Sequence, residues 1–173
     1  LSEEKMKNAI TTDTKGFFEI TVTVNGEKKE LSVKNGEFLL DALRRHGWKG
    51  AKKGCDTGDC GSCAVLLNCK PVLGCLAPAV TAHGGVITTI EGLGSVHNPH
   101  PLQTAFVEAG AVQCGFCIPG MILSSKHLLD RTPNPTEAEI RKALDGNLCR
   151  CTGYVKQVEA VKNAAVKIAG KKK

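Results

Sequence analysis

Nine cysteines in 173 residues, at positions 55, 60, 63, 69, 75, 114, 117, 149 and 151, constrain this chain more than any other feature. Read as disulfides, an odd count leaves one thiol over. The polar opening LSEEKMKNAITTDTK has no apolar stretch of the kind that directs export, so a cytoplasmic, reducing setting is expected. In that setting grouped cysteines bind metal. Eight of them fall into two sets of four, which leaves Cys69 as an uninvolved thiol.

The first set is Cys55-x4-Cys60-x2-Cys63, followed after eleven residues by Cys75. This is the plant-type [2Fe–2S] spacing, in which three thiolates come from one tight loop and the fourth from the far side of a hairpin. Gly54, Gly58 and Gly61 punctuate the loop and let its backbone wrap closely enough to aim N–H groups at sulfur. A structural zinc site is the alternative, but zinc favours two separated C-x2–4-C knuckles. The second set, Cys114-Gly-Phe-Cys117 with Cys149-Arg-Cys151, could by spacing alone hold either zinc or a second cluster. Both pairs stand just before expected helices, whose first amides favour anionic ligands. Two such sets side by side point to electron transfer. The histidines (46, 83, 97, 100 and 127) are scattered and include neither half of a Rieske pairing.

Aromatic residues make up only 4% of the chain, so its cores rest on Val, Leu, Ile and Ala. The net charge is +6, and without the terminal Lys171, Lys172 and Lys173 it is +3. A nucleic-acid binder would interleave a basic stripe with aromatics, and none is present. The sequence has no apolar run of about 18 residues, which excludes membrane insertion by a spanning helix. It also lacks a glycine-rich phosphate loop. Nothing in it stands out as a general acid, a general base or a nucleophile.

Periodicity divides the chain. Residues 1–16 are polar and read as a flexible segment. Phe18, Ile20, Val22 and Val24 alternate with polar residues as in a half-buried strand, and Asn25-Gly26 supplies a tight hairpin turn. Phe38–His46 reads as a short helix stopped by Gly47. Strands are expected at 64–67, from 72, and at 86–90, with a turn over 68–71. These elements make a small α+β unit over 17–92. A linker rich in Gly, Pro, Asn and His covers 93–100, with His97 and His100 read as solvated. From 101 to 168 the pattern is helical, with a capping box at Thr136–Glu139 and a final stripe at Val155, Val158, Val161 or Lys162, Ala165 and Ile168. Residues 169–173 form a basic tail. Each unit has roughly 75 residues, a size at which a metal centre supplements a marginal core.

The stretches GCDTGDCGSCAV, GAVQCGFCIPGMIL and GNLCRCTGY resemble, in order and spacing, the small iron–sulfur subunit of the molybdenum hydroxylase superfamily of xanthine dehydrogenase and aldehyde oxidase. The resemblance implies a plant-ferredoxin-like β-grasp domain followed by an all-α four-helix bundle. It implies two [2Fe–2S] clusters on Cys55, Cys60, Cys63 and Cys75 and on Cys114, Cys117, Cys149 and Cys151. It further implies a large partner subunit holding a molybdenum–pterin cofactor, which Gln113 and Cys151 touch, and a medium partner holding FAD. Such a chain passes electrons from the molybdenum site towards FAD or another acceptor. Ile118 stands where the family has Thr, and Asp56 where it has a small residue or Gly; neither position supplies a ligand. The loop between Leu43 and Cys55, one residue shorter than in many members, resembles xanthine-dehydrogenase-type subunits and so a purine or N-heterocycle hydroxylase. Subunits for aldehyde, carbon monoxide, nicotinate or aromatic acyl-CoA are the alternatives, and a free two-cluster carrier is the alternative of another class.

Overall fold

A computed structural model of the chain describes residues 11–12 and 16–170. Most of the 1–16 segment and the end of the basic tail lie outside the described residues, although Thr11–Thr12 (β1) pairs with Glu19 and Phe18. β2 (Phe17–Val24) and β3 (Glu27–Lys34) form the expected hairpin, with Ile20 opposite Leu31. Asn25 and Gly26 at its tip have φ of 53° and 87°, the left-handed conformations a two-residue turn demands. β2 also pairs in parallel with β6 (Val86–Thr88), which runs antiparallel to β4 (Ala64–Leu67); β4 in turn pairs with β5 (Lys70–Leu73). The inward residues Ile20, Val22, Leu31, Val65 and Ile87 pack under helix α1 (Leu39–Arg45) through its buried Leu39, Leu40 and Leu43.

Two expected boundaries shift. Only Asn68 and Cys69 form the β4–β5 turn, with φ of 50° and 63°, so Lys70 and Pro71 belong to β5. The strand expected over 86–90 ends at Thr88, because a short 3-10 turn follows at Ile90–Gly92.

Four helices follow: α2 (Pro101–Glu108), α3 (Ile118–Arg131), α4 (Glu137–Leu144) and α5 (Val155–Gly170). They enclose a second buried group around Leu102, Phe106, Met121, Ile140 and Val161. Thr136 and Glu139 form the expected capping box on α4. His100 is not simply solvated: its Nδ1 accepts the Leu102 N–H at 3.2 Å and caps α2. The expected α5 stripe holds at Val158, Val161 and Ala165, which are buried, but not at its start, where Val155 is 66% exposed and Gln157 is fully buried instead. The molecule thus has the expected α+β class, a β-grasp sheet followed by a helical bundle. No described helix is long and apolar enough to cross a membrane.

The two parts touch along α3, which packs on β4 and β5. Gly61, Gly120 and Gly146 lie at this seam. A Cβ on Gly61 would fall 2.0 Å from the Gly146 carbonyl oxygen, and one on Gly120 would fall 2.5 Å from the Gly61 carbonyl oxygen. Backbone therefore meets backbone here with no room for a side chain. His127 on α3 adds a hydrogen bond, its ring Nδ1 donating to the Cys69 carbonyl at 2.8 Å.

Candidate metal centres

The loop between α1 and β4 carries Cys55, Cys60 and Cys63, and Cys75 follows β5. Hairpin pairing of β4 with β5, Ala64 opposite Leu73, returns the chain so that Cys63 and Cys75 have sulfurs 3.4 Å apart. The Cys60 N–H points at the Cys55 sulfur at 3.4 Å. The loop achieves this with left-handed residues: Gly58 and Gly61 have φ of 87° and 70°, and Asp56 has φ of 58°. Asp tolerates that conformation better than most residues, which explains how it serves at a position expected to suit Gly. A Cβ on Gly54 would crowd the Cys60 sulfur at 2.7 Å.

The second set comes from two arms. Cys114 and Cys117 precede α3, with Cys117 as its N-cap, and Cys149 and Cys151 lie between α4 and α5. Cys114 and Cys151 have sulfurs 3.6 Å apart, and the Cys151 N–H points at the Cys149 sulfur at 3.5 Å. Thr152 places its hydroxyl 3.1 Å from that same sulfur. The Tyr154 hydroxyl accepts the Cys149 N–H at 2.8 Å. Tyr154 adopts φ of 69° to reach it, an uncommon conformation for an aromatic residue.

The thiols are electrostatically unequal. The Thr57 hydroxyl, with the Thr57 and Cys60 N–H groups, draws the Cys55 thiol down to about 6. Burial, with Cys75 adjacent, pushes Cys63 up to about 11; burial beside Cys149 pushes Cys117 up to about 12. Burial also works against ionising Cys149, but the Thr152 hydroxyl and the N–H groups of Cys151 and Thr152 hold it below the ordinary thiol range. The nearby Cys114 thiol raises Cys151. Groups that solvate a thiolate can equally solvate a metal-bound sulfur.

The geometry suits binuclear centres. Two thiolates on one tetrahedral metal, at about 2.3 Å each, stand about 3.8 Å apart. Cys63/Cys75 and Cys114/Cys151 have nearly that spacing. Among the described residues, no three His, Cys, Asp or Glu side chains gather to hold a single ion. A two-iron cluster takes four thiolates, two on each iron, and close pairs of this kind can supply each iron. Four histidines are engaged elsewhere: His46 with the Ser32 carbonyl, His83 with the Thr21 N–H, and His100 and His127 as described above.

The two sets are neighbours. A cavity of about 470 Å³ has Cys114, Cys117, Cys149 and Cys151 on one side and Gly54 and Cys60 on the other. The Leu148 N–H donates to the Cys60 carbonyl at 2.9 Å, and Leu148 is covalently joined to Cys149. A single hydrogen bond thus links the sets by a continuous path. Gln113 and Cys151 are both exposed, as are Phe116 and Leu148 beside them, whereas Cys63, Cys75 and Cys117 are buried. Exposed Cys69 stands apart in its turn, and Trp48 packs on the core of the sheet. Thr152, Tyr154 and Gln157 were not singled out by the sequence. A glutamine on an apolar helix face was the one signal available there.

Residues 22–80 match the family described as 2Fe-2S iron-sulfur cluster binding domain, and residues 89–162 match the family described as [2Fe-2S] binding domain. The chain is thus a tandem of two [2Fe–2S]-binding domains. It is 46% identical over 151 residues to the nicotinate dehydrogenase small FeS subunit of Eubacterium barkeri, covering 87% of this chain and 96% of that protein. It is 46% identical over 155 residues to the aldehyde oxidoreductase of Megalodesulfovibrio gigas, spanning only 17% of that protein's length. The crystal structure of quinoline 2-oxidoreductase from Pseudomonas putida 86 superposes with a TM-score of 0.86 at 39% identity, over 91% of this chain and 98% of that one. The chain belongs to the small iron–sulfur subunits of the molybdenum hydroxylase family, non-catalytic electron-transfer subunits of oxidoreductases.

Proposed function

We propose that Cys55, Cys60, Cys63 and Cys75 hold one [2Fe–2S] cluster and Cys114, Cys117, Cys149 and Cys151 the other. The domains carrying them extend over 17–92 and 101–168, joined by the linker 93–100. When bound, each cluster accepts and returns one electron. The observation that carries the reading is the Leu148-to-Cys60 hydrogen bond, which couples the two cysteine sets through one short chain of bonds. The protein's own part is to fix and solvate the sulfurs: the Cys60 amide at Cys55, Thr152 and the Cys151 amide at Cys149.

The exposed Gln113 and Cys151 face is the entry side, where a molybdenum–pterin cofactor held by a large partner subunit makes contact. Electrons leave from the Cys55 loop towards FAD in a medium partner or another acceptor, and the complex works in the cytoplasm. Its substrate is an N-heteroaromatic compound. Relatives named for nicotinate, nicotine and quinoline support this. The narrower purine reading has as its support a probable xanthine dehydrogenase subunit of Bacillus subtilis, 44% identical over 134 residues. Aldehyde-named relatives of equal identity make an aldehyde the second reading.

Anaerobic co-purification followed by turnover with nicotinate, quinoline, xanthine and an aldehyde, each monitored by bleaching of the cluster absorbance, tests this. Fastest bleaching by a pyridine or quinoline is expected. Bleaching by the aldehyde alone would overturn the substrate assignment, and isolation of the chain as a lone carrier would overturn the subunit assembly.

A further inference from the structure

Among the buried residues of α5, Gln157 is the polar one, and it is fully enclosed. Its Nε2 donates to the Ala111 carbonyl at 3.2 Å and to the Thr152 hydroxyl oxygen, and it lies 4.0 Å from the Cys149 sulfur. Its Oε1 is buried, and no group among the described residues donates a hydrogen bond to it. A purely structural helix position would be better served by an apolar side chain, because an unsatisfied buried carbonyl costs its full desolvation penalty. The two donations, however, join two different arms. Ala111 leads into Gln113 and Cys114, and Thr152 follows Cys151.

We propose that Gln157 is a positioning residue that sets the reduction potential of the second cluster by orienting Thr152. With its oxygen occupied by the Gln157 N–H, the Thr152 hydroxyl has its own proton left to donate, and the Cys149 sulfur at 3.1 Å is the acceptor within reach. A metal-bound thiolate can only accept. The chain of donors runs from amide to hydroxyl to sulfur and brings partial positive charge to the sulfur. Such hydrogen bonds favour the more negative, reduced state and raise the potential. The inference rests on Cys149 being a cluster ligand.

The test is an EPR-monitored redox titration of the purified complex in four forms: wild type, Gln157→Leu, Thr152→Val and the double variant. In Gln157→Leu the second cluster's reduced-to-oxidised ratio at a fixed potential should fall at least threefold. That corresponds to a midpoint lower by about 30 mV at 59 mV per tenfold for one electron. The first cluster should not move. The double variant should shift no further than Thr152→Val, because Gln157 acts through that hydroxyl. An unchanged second midpoint in Gln157→Leu, or additive shifts in the double variant, would overturn the inference while leaving the ligand assignment intact. Should Gln157→Leu fail to retain the second signal, Gln157→Met, unbranched and of similar volume, takes its place. If that variant also fails, a Thr152→Val midpoint equal to wild type would refute the relay and a lowered one would support it. Absence of the second signal from the wild type would overturn the ligand assignment itself, and this inference with it.

Discussion

Gly61→Ala compared with Gly58→Ala tests whether the seam between sheet and bundle is as rigid as it looks. Both glycines lie in the first cysteine loop and both have left-handed backbones, φ 70° and 87°. A Cβ imposes about 1–2 kcal/mol of conformational strain at either position. The obstacles differ. At 58 the new methyl meets Leu76 Cδ1 at 2.5 Å, the tip of a side chain that is 50% exposed and free to turn aside. At 61 it meets the Gly146 carbonyl at 2.0 Å, backbone that moves only if the bundle moves. Overpacking of that kind adds about 1–3 kcal/mol. For a chain of this size each kcal/mol shifts Tm by about 2–4 °C, so Gly61→Ala should melt about 2–12 °C below Gly58→Ala. Thermal unfolding of the cluster-loaded chains at one scan rate gives the comparison. EPR line shapes of the reduced chains report whether the clusters have moved apart. Equal melting temperatures and unaltered spectra would refute the claim that backbone contact at Gly61 fixes the two halves.

Two further outcomes follow from the site. Cys149→Ser should abolish one reduced-state EPR signal and slow electron transfer through the complex, whereas Cys69→Ser should leave both intact; equal damage would contradict the choice of ligands. Glu137 is held down to about 2 by Lys162 first and then Arg141. Its folded value lies below the unfolded 4.5, so its contribution is present in full above 4.5 and is lost as pH falls towards 2. The difference in Tm between wild type and Glu137→Gln should therefore be smaller at pH 4 than at pH 7, and a constant difference would show that the ion pairs add nothing.

Much of the fold was legible because local signals agreed with the tertiary outcome. Alternation from Phe18 to Val24, the Asn25-Gly26 turn, and the Thr136 box each act within a few residues, and the structure bears them out. The cysteines grouped by spacing do come close in two cases, Cys63 with Cys75 across the β4–β5 hairpin and Cys114 with Cys151 between two separate arms. What escaped is long-range. Gln157 shares the apolar face of α5 with Val161 and Ala164, but its partner there, the Ala111 carbonyl, is 46 residues away, and no local pattern announces that contact. His100 lies in a segment of linker composition, yet the first free amides of α2 give its ring nitrogen a use. The Leu148-to-Cys60 bond needs both halves folded and seated before it exists. Spacing could therefore group the cysteines but not show the bond that connects the two groups.

The most direct test of the account is metal and sulfide analysis of the anaerobically purified complex, with EPR of its reduced state. Four iron and four acid-labile sulfide per copy of this chain are expected, as two [2Fe–2S] clusters require, with two separable signals. Two iron with one signal, or zinc in place of the second pair of irons, would contradict it.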